Sequence, residues 1–259
     1  MNATARPSIF KRIARFPGAV ASLFASAVIY AVWAGATGLG NGEHALAVIG
    51  LTAFLVINIS RHAMVLQNGV APESAVAKEV AAMARKAGIA APHVEVIGME
   101  GPQAYAFWDV AGRPGIVLTS DVAAGGLLRP ALAHELGHIV RNHRRHSGMT
   151  LFYRAVTVSL LICVVISLLK AGMGATTVMV AVTAGALLSC LKVGINTVRH
   201  RAEYEADEVA VRLVGKHEVS GMLKALSGTA EVPDYGRTAL LLSSHPSLHD
   251  RISAVSKLT

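Results

Sequence analysis

Charge is scarce in this chain. Asp, Glu, Lys and Arg make up 15% of its 259 residues, against about a quarter in an ordinary soluble domain. Hydrophobic residues reach 53% and are clustered, which points to membrane segments before a soluble core. Cysteine is nearly absent. Cys163 and Cys190 are the only two, and both sit inside apolar runs, where a free thiol behaves as a small hydrophobe. Neither a disulfide framework nor a cysteine-based metal site is readable from them. Aromatics are few, at 5%, and acidic residues are outnumbered 24 to 16 by basic ones, giving a net charge of +8. That excess flanks the apolar runs rather than forming a basic face with stacking aromatics. It fits the cytoplasmic ends of membrane helices, and no nucleic-acid partner is expected. There is no internal repeat and no low-complexity linker.

Four apolar segments are present instead. The first, about Val20 to Leu39, has the roughly 20 residues needed to span a bilayer. The second is Ala45 to Ser60, and "GLGNGE" between the two makes a tight polar hairpin. The basic start, "MNATARPSIFKRIARF", could open a signal peptide. The uncharged stretch from Pro17 to Gly42 is too long for a signal-peptide core, so a retained anchor is expected. The third and fourth segments run from about Leu151 to Leu169 and from Ala175 to Leu191, separated by Lys170, Gly172 and Gly174. Arg154 intrudes near the start of the third, where it can snorkel. The alternative for this pair is a buried or interfacial helical hairpin. Arg6, Lys11, Arg12, Arg15, Arg61, Arg141, Arg144, Arg145, Lys192, Arg199 and Arg201 all lie on one side of these segments. The excess of Lys and Arg in cytoplasmic loops therefore places both termini and the central region in the cytoplasm.

The polar stretches between and after the segments read as one α+β, mainly helical domain interrupted by a membrane hairpin. Its expected parts are an N-terminal basic segment and hairpin (1–65), the first part of the interrupted domain (66–148), a second hairpin (149–195) and the closing part of that domain (196–259). "ESAVAKEVAAMARKAG" has helical periodicity and stops at Gly88. "HVEVIG" and "GIVLTS" are rich in β-branched residues and read as strands, with "AYAFW" a third between them. "AGGLLRPALAHELGHIVRNH" reads as a helix with Pro130 in its first turn. "RHRAEYEADEVAVRLVG" is helical again, with a glycine stop.

The chemistry is carried by "HELGH". On a helix, His134 and His138 are four residues apart and share a face, the geometry of two nitrogen ligands to one zinc. Glu135 stands beside them, able to reach a metal-bound water and take its proton. Gly137 leaves room close to the metal. Ala131, Leu132, Leu136, Ile139 and Val140 make the helix look buried, and a buried His–Glu cluster without a partner would be costly. Catalytic zinc takes three protein ligands and a water, so a third ligand is needed. Its best source is "RAEYEAD", where Glu203 and Asp207 share a helix face and Glu205 points elsewhere.

With these motifs the chain resembles the HtpX-like integral-membrane zinc metalloproteases, relatives of the CAAX prenyl proteases. The matching features are "HELGH" at 134–138, Glu-x-x-x-Asp at 203–207 after a basic run, "SHPSLHDRI" at 244–252, and the apolar hairpin between the two metal motifs. The resemblance covers about residue 70 to the end. It implies one Zn2+ per chain held by His134, His138 and Glu203, with Glu135 as general base. It implies that Asp207 orients a ligand histidine, a role that metal chemistry also expects. His245 and Arg251 fall in the C-terminal motif and are candidates to bind substrate or polarise the scissile carbonyl; a structural turn capped by Pro246 is the alternative. The family's Asn-Ala-Phe-Ala stretch is replaced here by "QAYAFW", a strand expected to pair by its edge with an extended peptide. The other histidines have plainer readings. His143 and His146, in "RNHRRH", face lipid head groups; His200 and His217 are solvated helix residues; His62 flanks a membrane end.

The function implied is a membrane-bound zinc endopeptidase of the bacterial inner membrane. Its site faces the cytoplasm, and it cleaves misfolded or unassembled membrane proteins as part of stress-related quality control. The alternative is a catalytically inactive metal-binding scaffold or regulator, against which the intact Glu135 argues. A transporter is disfavoured, because the apolar segments carry few of the ionisable residues that mark a pathway.

Overall fold

The computed structural model describes residues 70–99, 101–108, 113–143, 145–171, 174–229 and 245–258. The expected N-terminal hairpin and His62 lie outside the described residues. The chain divides into two compact units, Met1–Met64 with His146–Ile195, and Val65–Arg145 with Asn196–Thr259.

The second unit carries the polar motifs. It opens with α1 (Ser74–Lys86), whose buried Val76, Val80, Met83 and Ala84 follow helical spacing. Gly88, at φ 71°, stops it in the left-handed region where a side chain would be strained. Three strands follow, β1 (His93–Ile97), β2 (Ala104–Trp108) and β3 (Pro114–Thr119). They pair in the order β1-β3-β2, with β1 parallel and β2 antiparallel to β3. The central β3 has Gly115 to Thr119 buried without a break, as a strand covered on both faces should. Val70 bridges to Val96 beside β1, so β2 holds the free edge among the described residues.

A five-residue helix, α2 (Ser120–Ala124), follows β3 directly. The metal-motif helix α3 (Leu128–Val140) then has Pro130 in its first turn as expected, and everything from Pro130 to Gly137 is buried. Leu132 and Leu136 are wholly enclosed, and each such leucine contributes on the order of 1.5–3 kcal/mol. They share one core with Val80, Ile116, Leu118, Val209, Leu213, Val219, Leu223 and Val255. That core joins the sheet, α1, α3 and the closing helices. The last three are the end of α5, α6 (Lys216–Thr229) and α7 (Leu248–Lys257). Ser247 caps α7 by accepting the Asp250 backbone N–H at 3.0 Å.

The first unit holds, among the described residues, most of α4 (Arg145–Ala171) and the first half of α5 (Ala175–Val214). The apolar stretch Phe152–Leu169 has mean hydropathy 2.2, and that within Thr177–Val214 reaches 2.0. Only 28% and 11% of these stretches are buried, whereas the core helix of a soluble domain would be mostly covered. Leu161, Leu169, Met179, Val182 and Leu187 are exposed. One expectation is corrected. The fourth segment and the Glu203 helix are not separate elements but a single helix of 40 residues. No proline lies between them to break it, and Gly194 inside a helix costs only about 1 kcal/mol.

Candidate metal centre

Helix periodicity sets His134 and His138 on one face of α3, and the fold brings Glu203, from the second half of α5, against that face. His134 Nε2 lies 3.2 Å from His138 Nε2 and 3.4 Å from Glu203 Oε2. His138 Nε2 lies 3.6 Å from Glu203 Oε1. All three donors fall within 4.8 Å of one another. A tetrahedral zinc with bonds of about 2.0–2.1 Å separates its ligand atoms by roughly 3.3–3.4 Å, so this donor set fits the ion by chemistry and by spacing.

Each donor is held from behind. His134 Nδ1 lies 2.9 Å from Asp207 Oδ1, deep in the protein. Asp207 in turn accepts from Arg251 Nε at 2.8 Å and from its Nη2 at 2.7 Å. Arg251 Nη1 lies 3.0 Å from Glu203 Oε2. The guanidinium is buried and faces these two carboxylates, with Nη2 also 3.3 Å from His134 Nδ1, so Arg251 braces the candidate metal donors rather than reaching outward to a substrate. His245, which is exposed, places Nδ1 3.3 Å from Glu203 Oε1. The C-terminal motif thus meets both oxygens of Glu203.

The electrostatics follow from that packing. Burial alone would lower the pKa of His134, but its hydrogen bonds to Asp207 and Glu203 overturn this and push it up to about 10. Burial would raise Glu203, yet the hydrogen bonds to His134 and His245 hold its carboxyl well below the usual range. Asp207 is depressed in the same way, chiefly by Arg251. Glu135 goes the other way. Burial raises it, against the pull of His134. Its Oε2 accepts the backbone N–H of Ala106 at 2.6 Å, which ties the acid to the edge strand β2.

Two sequence readings change here. Gly137 makes room not for the metal but for the chain. A Cβ there would lie 2.6 Å from the backbone oxygen of Ala206, so α3 and α5 touch backbone to backbone at this point. His143 does not face lipid head groups. It is buried, with Nδ1 2.9 Å from His138 Nδ1 and Nε2 3.2 Å from Glu205 Oε2. Glu205, which points away from the ligand face, is thereby connected to it. The sequence signal for this was Asn142, a residue that tolerates left-handed backbone, just past the end of α3.

The family model described as Peptidase family M48 matches residues 71–259. Among solved structures, the chain is similar to the crystal structure of S. mikatae Ste24p, with a TM-score of 0.52 at 16% identity. That match covers 91% of this chain and 66% of the other, so this chain spans just under two thirds of that protein's length. No curated protein sequence matches.

Proposed function

This chain belongs to peptidase family M48, a family of metalloproteases, and from that premise we propose that it is an HtpX-like, multi-pass membrane zinc endopeptidase. Its substrates on this reading are misfolded or unassembled membrane proteins. The observation that carries the proposal is the convergence of two imidazole nitrogens and a carboxylate at zinc-ligand spacing, with a buried acid one residue from the first histidine.

His134 Nε2, His138 Nε2 and a Glu203 oxygen would hold the ion. Zinc there supplies an electrophile for the scissile carbonyl and makes water acidic enough to deprotonate near neutral pH. Glu135 receives that proton on its carboxylate and later returns one to the leaving amine. The Ala106 N–H fixes Oε2, which leaves the other oxygen to face the reacting water. An extended peptide adding to the free edge of β2 would run past this acid. Gln103, just before that strand, and Tyr105 and Phe107 on it are then the residues that set preference. Arg251 offsets the negative charge of Glu203 and Asp207, so the site does not accumulate unbalanced buried carboxylates.

The two apolar, largely uncovered stretches in α4 and α5 support membrane insertion, and the Lys/Arg distribution supports a cytoplasmic site. A bacterial inner membrane is what the HtpX-like resemblance implies. The test is degradation of a membrane-protein substrate by the purified, detergent-solubilised chain. Glu135→Gln should lower turnover by about 10²–10⁴-fold, the usual cost of losing a general base, with zinc content unchanged, and chelator should abolish activity in the wild type. Full complementation of a cellular phenotype by Glu135→Gln would replace the enzyme with a metal-binding scaffold.

A further inference from the structure

A histidine that offers Nε2 to a metal carries its proton on Nδ1, and that proton needs an acceptor. For His134 the acceptor is Asp207, braced by Arg251. For His138 the atom facing Nδ1 is His143 Nδ1, at 2.9 Å. We propose that His143, Glu205 and Arg201 form a second positioning chain that holds His138 for the metal, as Asp207 and Arg251 hold His134. The inference rests on the zinc reading above.

The donor and acceptor roles run in one direction. His138 Nδ1–H donates to His143 Nδ1, so His143 must be neutral with its own proton on Nε2. That proton points to Glu205 Oε2, 3.2 Å away. Glu205 is anchored on its other oxygen by Arg201 Nε at 2.8 Å. Donor and acceptor alternate along the series with the correct sign at each step. His143 approaches the far side of the His138 ring from Nε2, so it positions the ligand without competing for the metal.

The local backbone is built to deliver it. After α3, Asn142 adopts φ 54°. The His143 N–H then returns to the His138 carbonyl at 2.9 Å, and the Asn142 N–H to that of Ile139 at 3.0 Å. This pair of bonds is the Schellman ending of a helix, and it folds the residue five places on back over His138. The two chains differ in kind. His134 meets a carboxylate directly, while His138 meets one through a neutral imidazole. His134 is therefore the more electron-rich ligand and His138 the weaker one.

The experiment measures zinc affinity of the full-length, detergent-solubilised protein by competition with a chromophoric chelator. His143→Leu fills much of the volume but accepts no hydrogen bond, and should weaken zinc by roughly 10–100-fold, the usual effect of losing an orienting partner. His143→Asn is smaller but places an oxygen near the lost Nδ1, and should recover most of that affinity. A packing role would give the opposite order, and that order overturns the proposal, as does wild-type affinity in His143→Leu. Should His143→Leu not fold, Glu205→Ala decides. It should bind zinc several-fold more weakly, and unchanged affinity would overturn the chain. Glu208→Gln, one turn from Glu205 and paired only at the surface with Arg141 and Arg212, should match wild type; an equal loss there would mean general electrostatics instead. Wild-type protein that takes up no zinc, or Glu203→Ala that keeps it, would defeat the zinc reading itself, a result distinct from any of these.

Discussion

At the scale of single residues, the site is a contest between a proton and a metal. In the metal-free chain, Asp207 and Glu203 raise His134 from its usual value of 6.5 to about 10. The sign is therefore fixed. The proton on His134 stabilises the metal-free fold fully below pH 6.5, and that contribution fades as pH climbs towards 10. Zinc needs the same imidazole unprotonated. The zinc-induced rise in Tm should thus grow with pH from 6.5 upward, measured by thermal melts with and without metal; a flat or falling increment would contradict the assignment of His134. Asp207 and Glu135 separate cleanly by mutation. Asp207→Ala should weaken zinc by about 10–100-fold and regain activity in excess zinc. Glu135→Gln should keep its zinc and regain nothing, which activity assays across a zinc titration would resolve.

Among elements, the contact that decides most is the one between α3 and α5. Gly137 faces Ala206: it sits between His134 and His138 on one helix as Ala206 sits between Glu203 and Asp207 on the other. Replacing Gly137 by Ala would ordinarily gain about 1 kcal/mol of helix propensity. Here the new Cβ meets backbone at 2.6 Å, which cannot rotate away, and overpacking of this kind costs about 1–3 kcal/mol. The clash wins. Gly137→Ala should lower both Tm and zinc affinity, because the only relief is to move α5, and Glu203 with it, away from the histidines. Calorimetry with a zinc titration on the same variant checks both. The strand β2 illustrates the same scale. Its residues announced a strand, but its place at the free edge and its bond to Glu135 depend on which neighbour β3 accepted on each side.

For the molecule as a whole, the question is how a metal-site domain is joined to a membrane. Reporter fusions placed after Gly42 and after Lys170 should both appear on the outer face, and fusions at either terminus on the cytoplasmic face. A cytoplasmic result after Lys170 would mean that the stretches in α4 and α5 lie in or on one leaflet. The continuity of α5 makes the outcome consequential. Its apolar first half and the second half that carries Glu203 are one helix, with no loop between the segment proposed to enter the bilayer and Glu203.

What local periodicity can encode was legible in the chain. Two histidines four apart share a helix face, Glu203 and Asp207 share another, and β-branched runs between turn residues make strands. Gly88 and Gly215, both at positive φ, stop helices where the sequence said they should. These features depend on neighbours a few residues away, so the sequence by itself determined the candidate donor types, the acid beside them and most of the elements that carry them. It could not say which atoms those faces would meet. That Glu203 comes to lie 3.4 Å from His134, 69 positions earlier, is a matter of packing. So is Arg251 turning inward to two carboxylates, which a charged residue in a C-terminal motif gave no reason to expect. His143 was the hardest to see. Its basic neighbours suggest a solvated surface, and only the left-handed turn at Asn142 together with the approach of α5 buries it between His138 and Glu205. Tertiary structure decided these because burial converts a polar side chain without a partner into a cost, and the partners that relieve it come from parts of the chain that sequence distance keeps apart.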